Sequence, residues 1–473
     1  MGNIPAIEDV QGLSVELADA PLGDERLVRR LGTLADRASR AAGSSFPQMA
    51  SSDAELEATY RFLGNPRVSP EAILAPHQRQ TAKRMEGREV SLVVHDTTVF
   101  SFGGDERDGL GWVTHATLGF PAHFALAVGA DEARTPLGVL GIAPTFRSRH
   151  PRKKAWRQRR TSDDNEFRRW GQMVESVDGL VPDRRRVIHV MDREADCFEL
   201  VEAMTRREDR FIIRLAYDRR IATSTTDDPR TTAAALARAE DVLDREVPLS
   251  HRVAKGRSAK DQARYPPRKG RTARLRFRAT SVELRRPQSL PKSVSPSVQV
   301  NLVQVYEVDT PPGEEPVEWK LITSESVDTA AQIATIIDHY RARWTIEEYF
   351  KSLKTGCAFE KRQLEGRHAM LNALAVLATV AWRLLAIRTL AREQSETPAR
   401  HLLSQMQLRL LAYTSKRVKL PPEPTIRQAR LAIAGLGGHL KRNGEPGWRT
   451  LGAGFDRLLL LEQGAALGRS VES

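Results

Sequence analysis

Apolar positions recur at helical spacing near the start of the chain. After Leu22-Gly23-Asp24, residues Leu27, Leu31 and Leu34 fall on one face, while Arg26, Arg30 and Arg37 occupy the rest. That spacing predicts a helix capped by Asp24. A second helical stretch, Asp53 to Leu63, stops at Gly64-Asn65-Pro66. From residue 89 the pattern changes. Val90-Ser91-Leu92-Val93-Val94-His95 reads as a strand leading to Asp96, followed by a Gly-rich break from Gly103 to Gly111. Phe124 to Val128 and Leu137 to Ile142 read as neighbouring strands. A helix from Asp163 to Val177 precedes the strand Arg186 to Met191, which ends at Asp192; the helix Cys197 to Thr205 and the strand Phe211 to Ile213 follow. Strands alternating with helices predict a mixed α/β fold with a covered sheet.

Residues 225–325 break that rhythm. Alternation in Ala273 to Arg278 and in Val298 to Val303 predicts antiparallel strands with a basic outer face. From Thr329 the pattern is helical again, and 393–473 forms a separate helical unit bounded by Pro421, Pro422 and Pro424.

Length and composition sharpen this picture. At roughly 100–200 residues per domain, 473 residues imply about three domains. With 40% hydrophobic and 28% charged residues the composition is globular. The longest apolar stretch, Ala369 to Trp382, carries Asn372 and ends at Arg383, short of the ~18–20 uninterrupted apolar residues of a spanning helix. The first 30 residues carry acids and lack an apolar signal core, so no membrane association and a cytoplasmic location are expected. Two cysteines, Cys197 and Cys357, allow neither a disulfide framework nor a Cys-based zinc site.

Charge adds a partner. Lys and Arg number 73 against 60 acids, a net +13. Eight of the residues from Arg147 to Arg160 are basic, with Trp156 among them; Arg252 to Arg278 holds 11 basic residues and one acid, Asp261. Two such segments and a basic amino-terminal helix point to nucleic acid.

The candidate chemistry lies at three carboxylates. Asp96 and Asp192 each follow an apolar strand, where a sheet fixes a projecting side chain. Residues Tyr340 to Lys354 read as one helix. At 100° per residue, Tyr340, Arg343, Glu347 and Lys354 lie at about 0°, 300°, 340° and 320°, one stripe that Lys351 joins, with Glu348 turned aside. Asp96, Asp192 and Glu347 together form a hard oxygen cage suited to two Mg²⁺ or Mn²⁺ ions rather than zinc. Such an ion pair serves phosphoryl transfer. Arg343, Lys351 and Lys354 would then hold DNA phosphates, and Tyr340 would bond another phosphate oxygen.

These residues resemble the transposases of the insertion sequence four family. Tyr340, Arg343, Glu347 and Lys354 stand at that family's signature spacing, with Asp96-Thr97-Thr98 and Asp192-Arg193-Glu194-Ala195-Asp196 matching its other acids. Leu22-Gly23-Asp24, Tyr60-Arg61-Phe62, Asn65-Pro66 and Leu436-Gly437-Gly438 extend the likeness over almost the whole chain. Departures stand at His95, Leu27 and Trp112-Val113 and bear on the end sequence recognised.

The resemblance implies a helical DNA-binding domain over 1–70, with Arg26 and Arg30 among its contacts. It implies a ribonuclease H-like catalytic core over 71–224 and 326–392, a β-rich insertion over 225–325, and a helical dimerisation domain over 393–473. It implies cut-and-paste transposition of double-stranded DNA by a homodimer: a nick, a hairpin, hairpin opening, and joining to target. Trp319 would hold the space left by a displaced base, and Arg193 would join the DNA contacts. The alternatives are a ribonuclease H-like nuclease without strand transfer and a catalytically idle, DNA-binding repressor.

Overall fold

The fold is described from a computed structural model, covering residues 13–103, 109–114, 117–146, 168–249, 267–393, 396–401, 403–415 and 419–440, with scattered residues between 446 and 465. The basic segment Arg147 to Arg160 with Trp156, most of the Gly-rich break, and the part of the second basic segment before residue 267 lie outside the described residues. The chain divides into two compact units, one of residues 1–182 and 344–473, the other of residues 183–343.

The first unit opens with helices α1 (Leu13–Glu16), α2 (Glu25–Arg40), α3 (Phe46–Met49), α4 (Asp53–Gly64) and α5 (Pro70–Met85). Asp24 caps α2 as expected, accepting from the Arg26 amide at 2.8 Å, and α4 stops at the expected place. Strands β1 (Ser91–Phe102), β2 (Gly111–Thr114), β3 (Thr117–Gly129) and β4 (Pro136–Pro144) follow. β1 pairs antiparallel with β3 along its whole length, and β2 and β4 pair with β3 as well. Asp96 therefore does not end its strand. It stands in the middle of β1, because Thr97 to Phe102 continue as good strand formers with Phe100 and Phe102 buried.

Helix α6 (Arg168–Asp178) packs on β3 and β4. After the crossing to residue 344, helix α10 (Trp344–Lys351) and the long helix α11 (Arg367–Glu393) complete this unit together with α12 (Gln405–Thr414) and α13 (Ile426–Leu436). Arg367 to Leu390 of α11 is long and apolar enough to cross a membrane, with mean hydropathy 1.8, longer than the sequence stretch suggested. Yet 78% of that window is buried, and α11 packs against α2, α4, α5, β4 and α10, as an all-round apolar core helix does. Asn372, which looks like an interruption, is fully buried and donates to the carbonyls of Leu63 and Val68 at 2.9 and 3.1 Å. A small separate cluster of Ala399, Leu403, Leu411, Ala432, Ile433 and Leu458 holds α12 and α13.

The second unit carries β5 (Val187–Met191), α7 (Phe198–Arg206), β6 (Arg210–Arg214), α8 (Thr232–Arg238), β7 (Asp241–Leu249), β8 (Arg271–Arg285), β9 (Ser297–Val308), β10 (Glu318–Thr323) and α9 (Ala330–Arg341). Its strand order is β5-β6-β10-β9-β8-β7. Among the described residues of this unit only β5 and β6 run parallel; the remaining pairs are antiparallel, so the sheet is mixed as expected. The alternation in β8 holds, with Ala273, Leu275 and Phe277 buried and Arg274 exposed.

The basic face of β8 is spent inside the sheet. Arg274 and Arg276 both pair with Asp244 of β7, with their Nε atoms 2.9 and 3.1 Å from it. Arg278 donates to Gln304 at 2.8 Å and lies over Tyr306, and Arg271 pairs with Glu307 and Glu314. Arg271, Arg274 and Arg276 of the second basic segment are thus paired with acids of neighbouring strands and turns.

Candidate active site

Within the first unit the register of β1 settles which way Asp96 looks. Asp96 is paired with Phe124, and directly opposed residues of antiparallel strands share a face. The Phe124 ring touches Tyr349 and Phe350 of α10 at 5.8 and 5.4 Å. Asp96 therefore faces the side of the sheet on which α10, the helix of Glu347, packs. Both side chains are half-buried. Asp96 Oδ1 accepts from the Thr97 amide at 2.7 Å.

The opposite face of β1 is closed. His95 is buried there, stacked on His123 at 5.7 Å, with Trp170 of α6 against both. His123 Nδ1 is hydrogen-bonded to Thr97 Oγ1 at 3.0 Å. Burial, helped by the charge of Arg169, brings the His123 imidazole down to about 3, so it is neutral at physiological pH.

The single helix expected over Tyr340 to Lys354 does not form. Helix α9 ends at Arg341, where the Ala342 and Arg343 amides bond back only three residues, to His339 and Tyr340. α10 begins afresh at Trp344, and Ser352 to Gly356 is a π turn closed by the Cys357 amide on the Ser352 carbonyl at 2.7 Å. The stripe is therefore split. Tyr340 and Arg343 belong to the second unit, and Glu347, Lys351 and Lys354 to the first.

The pieces of the stripe have distinct surroundings. Glu348 is held by Lys351 and Arg388, each at 2.5 Å, which leaves Lys351 exposed but engaged along its own helix. Lys354 reaches back to β1, donating to the Val99 carbonyl, 3.9 Å from Glu360 and 5.3 Å from the Phe100 ring. Burial lowers its pKa, with Glu360 opposing. π turns are rare and concentrate at functional sites, and this one carries the signature lysine to the strand of Asp96.

In the second unit Asp192 ends β5 as expected and caps the turn Arg193–Ala195, accepting from the Glu194 amide at 2.9 Å. Four residues on, Asp196 is buried and accepts from the amides of Ala216 and Tyr217 at 2.7 and 3.2 Å and from Arg219. It fixes the segment that follows β6. That strand supplies Arg214, a residue the sequence patterns did not single out; its only signal is an arginine closing an apolar strand. Arg214 donates to the Glu318 carbonyl at 3.3 Å, and its pKa is lowered by burial and by the nearby charges of Arg193 and Arg343. Tyr340 is only 3% exposed; burial raises its pKa against the pull of Arg343 and Arg214, and Asp192 adds to the rise. Trp319 of β10 lies edge-on to Tyr340.

In the amino-terminal helices Arg26 is exposed in the first turn of α2, and Arg30 is half-buried near Glu55, which Arg37 also pairs at 3.2 Å.

Three carboxylates offer the hard oxygen donors that Mg²⁺ or Mn²⁺ takes. Among the described residues, however, no group of three or more His, Cys, Asp and Glu side chains stands arranged to hold a metal ion. In kind the donors suit the ion.

Comparison with known families gives two matches. A transposase DNA-binding model matches residues 11–68, which include Arg26 and Arg30. A transposase DDE domain model matches residues 145–383, half of the chain, including Asp192, Arg193, Trp319, Tyr340, Arg343, Glu347, Lys351 and Lys354. Asp96 lies between the two matched segments.

Proposed function

The chain belongs to the transposase DDE domain family, and from that premise we propose that it is a cut-and-paste DNA transposase of the insertion sequence four type, built on a ribonuclease H-like core. Its partner is double-stranded DNA. We assign Asp96, Asp192 and Glu347 as the catalytic carboxylates. Divalent magnesium or manganese held by these three would supply nucleophile activation and neutralise charge on the leaving oxygen.

One observation carries the reading: the charges of Arg193 and Arg343 lie near enough to Arg214 to lower its pKa, and Asp192 near enough to Tyr340 to raise that of its phenol. Cations so placed repel one another, and an arriving phosphate relieves that repulsion while accepting their N–H groups. Arg214 is held by the Glu318 carbonyl, and Tyr340 would bond another phosphate oxygen. Lys354, held against β1 through the Val99 carbonyl, would bond a phosphate of the strand being cut. Lys351 would contribute at the exposed end of α10.

The reaction then runs as in-line displacements at phosphodiesters. Water cleaves one strand and frees a 3′-hydroxyl. That hydroxyl attacks the opposite strand and closes a hairpin; a second water opens it; the freed 3′-hydroxyls join target DNA. Hairpin closure forces a base out of its stack, and Trp319 would shield the vacated space. Arg26 and Arg30 would contact the transposon end. Two copies would pair two ends through the helices of the carboxyl-terminal cluster, in the cytoplasm on chromosomal DNA.

A strand-transfer assay tests this. An end duplex, a supercoiled target plasmid and Mg²⁺ are expected to give joined products. Nicking without joining would reduce the protein to a nuclease, and binding without nicking to a repressor.

A further inference from the structure

Arg362 follows the short turn Phe359–Lys361 and is 2% exposed. Its guanidinium donates to three main-chain carbonyls: those of Ser44, of Ala42 at 2.7 Å, and of Cys357 at 2.6 Å. Its cationic carbon lies 5.0 Å from the ring centre of Phe46. Burying a guanidinium is unfavourable unless its N–H groups find acceptors. A planar fork spans several carbonyls at fixed angles, which a lysine ammonium does not reproduce.

The acceptors come from two places. Ala42 and Ser44 lie between α2 and α3, inside the segment that matches the DNA-binding model. Cys357 is the exit of the π turn that carries Lys354, inside the segment that matches the DDE domain. Immediately after it, Ala358 is held at φ +48°, a left-handed conformation that a non-glycine residue keeps only when its surroundings enforce it. Phe359 packs against Phe100 at 4.8 Å, and Glu360 accepts from the Ser101 amide at 2.9 Å. The turn is thus pinned to β1 at one end through Lys354 and to the amino-terminal helices at the other through Arg362.

We propose that Arg362 is a positioning residue that couples the amino-terminal DNA-binding segment to the Lys354 turn, so that the set of the 42–46 loop fixes where the lysine stands. The inference rests on the reading of Lys354 as part of the reaction site.

The test is a double-mutant cycle on the full chain with Mg²⁺, using a duplex that carries the inverted repeat flanking its gene. In Arg362→Gln, affinity for the duplex is expected to stay within about threefold, while the nicking rate at saturating DNA falls at least about tenfold, the effect of a small misplacement at a reacting centre. Arg362→Lys is expected to fall between wild type and Arg362→Gln, and it carries the comparison if Arg362→Gln does not fold. In a Lys354→Ala background, Arg362→Gln should slow nicking by less than about twofold, because both act through one group. Multiplicative losses, equal loss of affinity and rate, or unchanged nicking in Arg362→Gln would overturn the coupling. Wild-type nicking by Lys354→Ala alone would overturn the reading of Lys354 and the coupling with it.

Discussion

The indole of Trp319 meets the ring of Tyr340 edge-on, with centroids 5.5 Å apart and planes 67° apart. Tyr340 in turn lies near the charges of Arg214 and Arg343. A tryptophan of the insertion thus touches the first residue of the signature, and through it the arginine cluster beside Asp192. Removing the indole uncovers that contact without touching a carboxylate. Trp319→Ala is expected to leave the rate of the first nick within about threefold and to slow hairpin closure at least about tenfold, since only that step needs a displaced base housed. Gel assays that separate nicked from hairpinned ends check this, and equal slowing of both steps contradicts it.

Arg214 is charged, partly buried and held by the Glu318 carbonyl, a setting suited to a phosphate. Arg214→Ala is expected to weaken end binding and to lower the salt slope of log affinity by about one, the signature of one lost phosphate contact. Titrations from low to moderate salt read the slope directly. An unchanged slope would remove Arg214 from the DNA contacts.

Much of the architecture was legible because its signals are local. The Asp24 cap, the stop after α4, and Asp192 at the end of an apolar strand follow from side chains acting within a few residues. The break between Arg341 and Trp344 was not legible. No glycine or proline lies between Tyr340 and Lys354 to mark it, and the helical angles were read as if one helix ran through it. The pairing of Arg274 and Arg276 with acids was hidden for a different reason. The partner acids Asp241 and Asp244 sit on β7, a strand whose exposed pattern carries little hydrophobic alternation. Asn372 misled in the same way, reading as an interruption of an apolar run when it anchors carbonyls of the amino-terminal segment. In each case long-range partners decided what local pattern could not.

A buried polar network ties α1 to the body of the first unit and makes stability depend on pH. His77 is fully buried; its Nδ1 faces Glu16 Oε1 at 2.6 Å, and its Nε2 accepts from the Val139 amide at 2.9 Å. Burial pushes the imidazole below its usual range despite Glu16. Burial alone would raise Glu16, but hydrogen bonds from His77 and Arg84 and the charge of Arg84 outweigh it and hold the carboxyl at about 2. A base whose folded pKa is depressed stabilises the protein above its unfolded value of 6.5 and loses that contribution as pH falls below it. The Glu16 contribution is present above 4.5 and is lost as pH falls through about 2. Urea unfolding between pH 7.5 and 5.5 is expected to show wild type losing more stability than His77→Gln, by up to about 1.4 kcal/mol per pH unit below the imidazole range. Parallel curves would contradict a neutral, buried His77.

The most direct test of the account takes Asp96→Asn, Asp192→Asn and Glu347→Gln one at a time and measures Mg²⁺-dependent nicking of an end duplex alongside its binding. If the three carboxylates work as one site, each substitution abolishes nicking, by at least about a thousandfold, while duplex affinity stays near wild type. Nicking that survives the loss of any one of the three would contradict the shared site.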